Sequence, residues 1–313
     1  MDIERVACVG VGLIGHSWVT LFSLKGFSVA IYDVTEDILA KALSRVEANL
    51  RFLAEKKFIE QEDVESALGR IKTTSNISEA VAEADYVQES TFERYEEKKT
   101  VFKEMDSAAP AQTILASSSS GLLMTEIQRA TEKPERCLVA HPWNPPHLIP
   151  LVELVPGERT SQEAVKATYD FMVKVGKVPI VLRKEVPGHI ANRLQAAVWR
   201  EAIALVDRGV ASVEDVDKAL YAGPGIRWAF MGSNMTLHLG GGPGGLEYFI
   251  EHLGPAFSVW WSDMDTWTSI SPTRARKVVE GLKQVDFVQR RTMAELVEWR
   301  DERLVELLKI LYK

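Results

Sequence analysis

The segment Gly10-Val11-Gly12-Leu13-Ile14-Gly15 restricts the fold of this chain more than any other. An apolar run, Val6–Val9, comes before it, and Trp18, Leu21, Phe22 and Leu24 follow at helical spacing. A second apolar run with Val29 and Ile31 then ends at Asp33, eighteen residues past the third glycine. Strand, glycine-rich turn, helix, strand and acid in that order make a dinucleotide-binding unit. The glycines allow a tight turn and let the backbone approach a pyrophosphate, which rests on the positive end of the helix. Asp33 accepts hydrogen bonds from ribose hydroxyls and repels a 2′-phosphate, so NAD is expected rather than NADP. The expected cofactor contacts are therefore Gly10, Gly12, Leu13, Ile14, Gly15 and Asp33.

A second constellation supplies chemistry. His141-Pro-Trp143-Asn-Pro-Pro-His147 is a proline-stiffened turn, and Glu153 follows His141 by twelve positions inside an apolar run. A carboxylate beside an imidazole fixes its tautomer and stabilises the imidazolium formed when the ring takes a proton. That pair suits removal of a proton from an alcohol. His141 and His147 do not make a metal pair, because prolines intervene and further ligands are missing, and no metal is expected.

With 313 residues, the chain is long enough for two domains. A hydrophobic share of 46% and a charged share of 26% are those of an ordinary globular protein. A net charge of −7 leaves no basic footprint for nucleic acid or an anionic membrane. The cysteines are Cys8 and Cys137, both in apolar stretches, so a reducing cytoplasm is expected and a disulfide framework is not. Met1-Asp-Ile-Glu-Arg leads straight into the first strand, so no signal peptide is expected. No apolar run approaches the ~20 residues of a membrane span.

In the first half, short apolar runs alternate with helical patterns, which predicts an α/β fold with a parallel, doubly wound sheet of Rossmann type. Glu36 to about Leu68 reads as two polar helices around Lys56-Lys57. Further strands are expected at Tyr86–Gln88, Thr113–Ala116, Cys137–Ala140, Leu148–Leu154 and Val178–Leu182. A boundary near Val186-Pro187-Gly188 divides residues 1–186, the NAD-binding domain, from 187–313, a mostly helical substrate and dimerisation domain. There Ile190, Leu194, Val198, Ile203 and Leu205 run at helical spacing towards Gly209. Gly240–Gly245 lacks a preceding strand and a Gly-Lys-Ser/Thr, so it reads as a loop between helices.

Together these motifs resemble the 3-hydroxyacyl-CoA dehydrogenase family over essentially the whole chain. The resemblance implies an NAD-dependent dehydrogenase acting on the hydroxyl of a 3-hydroxy acid, built as a homodimer through the helical domain. It places the family's catalytic pair on His141 and Glu153, and its serine near the substrate hydroxyl on Ser120. Its helix asparagine falls on Asn192 of Gly188-His189-Ile-Ala-Asn192-Arg193. Nicotinamide and ribose contacts fall on Glu93, Lys98 and Ser118. Two positions depart from the family pattern. Ser118-Ser119 stands where many acyl-CoA enzymes have Asn-Thr, and His189 replaces the usual phenylalanine.

The resemblance is nearest to the branch acting on free 3-hydroxy acids. L-carnitine is the first expectation, L-gulonate the second and an acyl-CoA thioester the third. The aromatic supply also suits a quaternary ammonium, which offers no hydrogen bond and is recognised by aromatic faces. Trp143, Trp199, Trp228 and Phe230 are the candidates, with the Trp260-Trp261 pair as a further source. The contrasting class, an NAD-binding structural protein, has no use for the His141–Glu153 pair.

Overall fold

The computed structural model describes residues 2–312. The chain divides into two compact units. One holds residues up to Arg193 together with the segment from Asp301 onward; the other runs from Leu194 to Arg300.

The first unit is built on an eight-stranded sheet in the order β3-β2-β1-β4-β5-β6-β7-β8. Strands β1 (Arg5–Val9), β2 (Ser28–Tyr32), β3 (Ile71–Thr74), β4 (Tyr86–Glu89), β5 (Ile114–Ser117) and β6 (Cys137–Pro142) all pair in parallel. Helical crossovers join most of them, and the reversal of direction after β1 opens a crevice at the carboxyl ends of β1 and β4. Helices α1 (Gly15–Leu24), α2 (Glu36–Glu55) and α3 (Gln61–Leu68) cover one face, burying Trp18, Phe22, Leu39, Val46, Leu50 and Val64. Helices α4 (Ile77–Val81), α5 (Tyr95–Ala108) and α6 (Met124–Ile127) cover the other with Val81, Phe102, Met105 and Ile127. Helix α7 (Gln162–Lys174) returns to the first face through Phe171 and Met172. Thr35 and Ser161 cap α2 and α7 by accepting the amides of Ile38 and Ala164.

The sheet departs from the sequence expectation in one place that matters for function. Strand β7 (Leu151–Pro156) runs antiparallel to β6, and β8 (Val178–Val181) is then parallel to β7. Residues 143–150 are too few for a crossover helix, so the chain turns back beside the strand it has just left. That turn also takes in Leu148, so β7 starts at Leu151 rather than at Leu148. Strand β3 was not foreseen, because this edge strand offers a single apolar residue, Ile71, before Lys72-Thr73-Thr74.

The second unit is helical. Helix α8 (Ala191–Asp207) runs into it and is followed by α9 (Val213–Ala222), α10 (Pro224–Trp228) and α11 (Ser233–Gly240). Then come α12 (Gly245–Asp263), α13 (Pro272–Lys283), α14 (Asp286–Gln289) and α15 (Met293–Tyr312). The glycine-rich 240–245 stretch joins α11 to α12. The C-terminal end of α8 is tied to α13, since Asp207 accepts from Arg274 Nε at 2.9 Å and Lys277 Nζ at 2.7 Å.

Where the sequence reading assigns all of 187–313 to the second domain, the chain returns at Asp301 to the first unit. Val305 and Leu308 of α15 are buried there with Leu53 and Leu148, and Lys56 pairs with Glu302 at 2.6 Å. Among the described residues no helix is long and apolar enough to cross a membrane.

Candidate active site

The glycine turn shows what its residues are for. Gly10 has φ +84°, and a Cβ there would lie 2.9 Å from the Ser90 backbone. A Cβ on Gly15 would stand 1.9 Å from the Gly10 carbonyl oxygen, so this glycine lets α1 close onto β1. A Cβ on Gly12 would meet no protein atom within 4 Å. That gap lies where a pyrophosphate must approach the loop, and the residues therefore fit a dinucleotide. Asp33 is aimed at the same loop: Oδ2 accepts from Val11 N at 2.9 Å and Oδ1 from Val34 N at 2.8 Å. Leu13 is exposed beside it, and Ile14 packs on the core beneath α1.

The next layer, at the ends of β4 and β5, is a polar network. Glu89 and Lys98 form an ion pair with Nζ–O distances of 2.8 and 3.0 Å, and both side chains are almost wholly buried. Ser117 and Thr91 also donate to Glu89. Glu93 lies one step outward. Its Oε1 accepts from Ser119 Oγ at 2.8 Å, Ser120 N at 2.7 Å and Gly121 N at 3.2 Å, so it shapes the serine run. Ser118 Oγ is contacted by Trp18 Nε1, Gln88 Nε2 and Ser90 Oγ. Of the three expected cofactor contacts here, Glu93 is partly exposed, Lys98 is committed to Glu89, and Ser118 sits inside a network.

The candidate reactive pair comes from the antiparallel strands. His141 lies directly opposite Glu153 in the β6–β7 register, and Nδ1 is 3.0 Å from Glu153 Oε2. The other carboxylate oxygen accepts the amides of Ile190 at 2.8 Å and Ala191 at 3.0 Å, at the entry to α8. Burial would raise the Glu153 carboxyl, but the hydrogen bonds from His141, Ala191 and Ile190 outweigh it and hold the group at about 2. An ionised carboxylate only accepts, so His141 carries a proton on Nδ1, and in the neutral ring Nε2 is the acceptor. Asn192 is placed by the same helix start, its Nδ2 donating to the Ser120 carbonyl at 3.0 Å. His141 thus pairs with Glu153 and Asn192 with the Ser120 carbonyl, and the start of α8 carries both Asn192 and the amides that hold Glu153.

The turn between the two strands is pinned from outside. Lys177 Nζ donates to Pro146 O and, at 2.7 Å, to Ile149 O, with the Trp18 ring centroid 5.2 Å away. Ser17 Oγ accepts from His147 N at 3.0 Å and lies 2.7 Å from His147 Nδ1. The sequence reading passed over Glu89, Lys177 and the amides of Ile190 and Ala191. Glu89 and Lys177 do carry a signal, a charge in or next to an apolar strand; backbone amides carry none.

The aromatic candidates are placed as follows. Trp143 follows β6 in the first unit, and its Nε1 is buried without a hydrogen-bond partner. Trp199 on α8, Trp228 at the end of α10 and Phe230 just beyond belong to the second unit, and all three are exposed.

The fold and this site define a class, an NAD-dependent oxidoreductase acting on a hydroxyl group. The NAD-binding domain of 3-hydroxyacyl-CoA dehydrogenase matches residues 5–186, and the C-terminal domain of the same family matches residues 188–281. The chain belongs to the 3-hydroxyacyl-CoA dehydrogenase family. It is 40% identical to an L-carnitine dehydrogenase of Nocardiopsis dassonvillei, over 99% of this chain and 92% of that one. An L-carnitine dehydrogenase of Streptomyces griseus is 38% identical over 98% and 90% of the two chains. Among solved structures, 5-formyl-3-hydroxy-2-methylpyridine 4-carboxylic acid 5-dehydrogenase, an NAD-dependent dismutase, superposes with a TM-score of 0.84. It is 28% identical and covers 99% of both chains.

Proposed function

We propose that this protein oxidises L-carnitine to 3-dehydrocarnitine. The observation that carries the reading is full-length similarity, at 36–40% identity, to eight relatives named L-carnitine dehydrogenase. When bound, NAD supplies the acceptor for the hydride leaving carbon 3. Gly10, Gly12, Leu13, Ile14, Gly15 and Asp33 would hold its adenosine and pyrophosphate and Glu93 and Ser118 its nicotinamide side, with Lys98 acting there through its pair with Glu89. His141 Nε2 takes the hydroxyl proton, and Glu153 balances the imidazolium charge. Ser120 and Asn192 hold the oxygen as charge develops on it.

The trimethylammonium group calls for aromatic faces, and Trp199, Trp228 and Phe230 carry exposed rings within the helical unit. Trp143, two residues beyond His141, is the first unit's candidate for the same role. We read residues 1–186 as the NAD domain and the helical part from 187 as the substrate and dimerisation domain. A homodimer is supported by the apolar exposure of α12, where Tyr248, Ile250, Leu253, Val259, Trp260 and Trp261 face outward. A cytoplasmic setting is supported by two free, buried thiols, Cys137 being pushed up to about 12 by burial.

The test is an NAD-reduction assay with L-carnitine, L-gulonate and 3-hydroxybutyryl-CoA side by side. The reading expects carnitine to have the highest kcat/KM. A preference for gulonate or for the thioester would overturn it.

A further inference from the structure

His189 is almost fully buried, at 1% exposure, yet its Nδ1 has no hydrogen-bond partner. Its backbone adopts φ +52°, directly after Gly188 at φ +76°, and its amide donates to Val186 O at 3.0 Å. This left-handed pair of residues turns the chain so that two things happen at once. The next two amides, of Ile190 and Ala191, reach Glu153, and the His189 ring packs on His141. The two ring centroids are 5.3 Å apart, with the planes inclined at 56°.

The other ring nitrogen, Nε2, lies 3.1 Å from the carbonyl oxygen of Ser119. A carbonyl only accepts, so Nε2 holds the proton and Nδ1 is a bare lone pair. Through that bond the ring grips the serine run one residue before Ser120, while its face rests on the ring of His141. A phenylalanine would place a larger aromatic ring there without the grip.

We propose that His189 is a positioning residue: as the neutral Nε2–H tautomer it ties the Ser120-bearing run to His141, and its protonation opposes proton uptake by His141. The proposal rests on His141 being the base. Charged and titratable groups facing the ring are His141, Glu153 and Glu93. Burial lowers the pKa of His189 most, and His141 adds to the lowering; the Ser119 bond, Glu153 and Glu93 act the other way, and the net direction is down. His189 therefore stays neutral while His141 accepts the substrate proton. Two imidazolium rings at this spacing repel, so their protons are taken up in sequence.

Three variants separate the roles. In His189→Gln the amide nitrogen takes the place of Nε2 and keeps the donor but cannot become a cation. In His189→Asn the amide falls at the Nδ1 position, and His189→Phe has neither nitrogen. Expected kcat is within about threefold of wild type for Gln and lower by about tenfold or more for Asn and Phe, the loss of one buried hydrogen bond. KM for NAD should not move in any of them. On the acid side, the slope of log kcat/KM against pH should steepen from about one to about two as pH falls in wild type and stay near one in His189→Gln. A Phe variant with wild-type kcat, or a Gln variant that keeps the steeper slope, would overturn the proposal. Imidazole ¹⁵N NMR of the wild type, assigned with His189→Gln, gives a readout that needs no turnover. Protonated Nε2 with bare Nδ1 at neutral pH is expected; the opposite tautomer or a cationic ring sinks the idea. Failure of the base assignment would show differently, as full turnover in His141→Ala.

Discussion

Glu153 divides its two oxygens between two jobs: Oε2 accepts a hydrogen bond from His141 Nδ1 at 3.0 Å, while Oε1 accepts from the amides of Ile190 and Ala191. Orientation of the His141 ring and anchoring of the Ile190-Ala191 backbone therefore share one carboxylate. His141→Ala should lower kcat by ~10²–10⁴-fold with little change in NAD affinity, as loss of a general base does. Stopped-flow turnover alongside an NAD fluorescence titration checks both halves.

The same carboxylate has a pH signature. Its folded pKa, about 2, lies below the ordinary carboxylate value, so the folded state binds fewer protons than the unfolded one in between. Its contribution is fully present above about pH 4.5 and is lost as pH falls towards 2, amounting to about 3 kcal/mol. Glu153→Gln should flatten the acid side of the stability profile, measured by urea unfolding from pH 3 to 7. A parallel profile for the two proteins would contradict this.

Lys177 predicts the complementary trend. Burial pulls its ammonium down to about 7, so the unfolded chain holds an extra proton between there and the ordinary lysine value. The contribution is greatest above about pH 10.5 and is lost as pH falls through about 7. The stability of wild type relative to Lys177→Met should increase across that window. A constant difference would mean that Lys177 is not shifted.

Two glycines in the same loop should fail in different ways. Gly12→Ala places a methyl in open space, so melting should be unchanged while NAD Kd rises by about tenfold or more. Gly15→Ala drives a methyl onto the Gly10 carbonyl, and unfolding should become easier by about 1–3 kcal/mol or more. Calorimetry with and without NAD separates the two.

Lys98→Met removes one partner of a buried pair and leaves the Glu89 charge without its cation. The expected cost is about 3–5 kcal/mol of stability, read from chemical denaturation. A variant as stable as wild type but unable to bind NAD would assign Lys98 to the cofactor alone.

Much of this was legible in the residues. The glycine turn with Asp33 marks the first crossover, because that order of strand, turn, helix and acid suits a pyrophosphate and a ribose together. His141 and Glu153 stood out as polar residues in apolar surroundings. The antiparallel direction of β7 is not written in the alternating runs, which suggest parallel strands; it follows from the shortness of residues 143–150. Strand β3 escaped because an edge strand needs few apolar residues. The return of α15 to the first unit was invisible for another reason: Val305 and Leu308 look like any helical stripe, and nothing local names the surface they cover.

That return governs how the NAD-binding half can be isolated. A fragment cut at residue 186 or 193 would contain every strand of the sheet, yet Leu53 and Leu148 would face water and Lys56 would lose Glu302. During synthesis the ribosome must also deliver more than a hundred residues of the helical unit before the segment from Asp301 arrives to close the first. The nucleotide-binding half is thus finished last, and a separately expressed version needs residues 301–312 spliced or supplied as a peptide to regain its native surface.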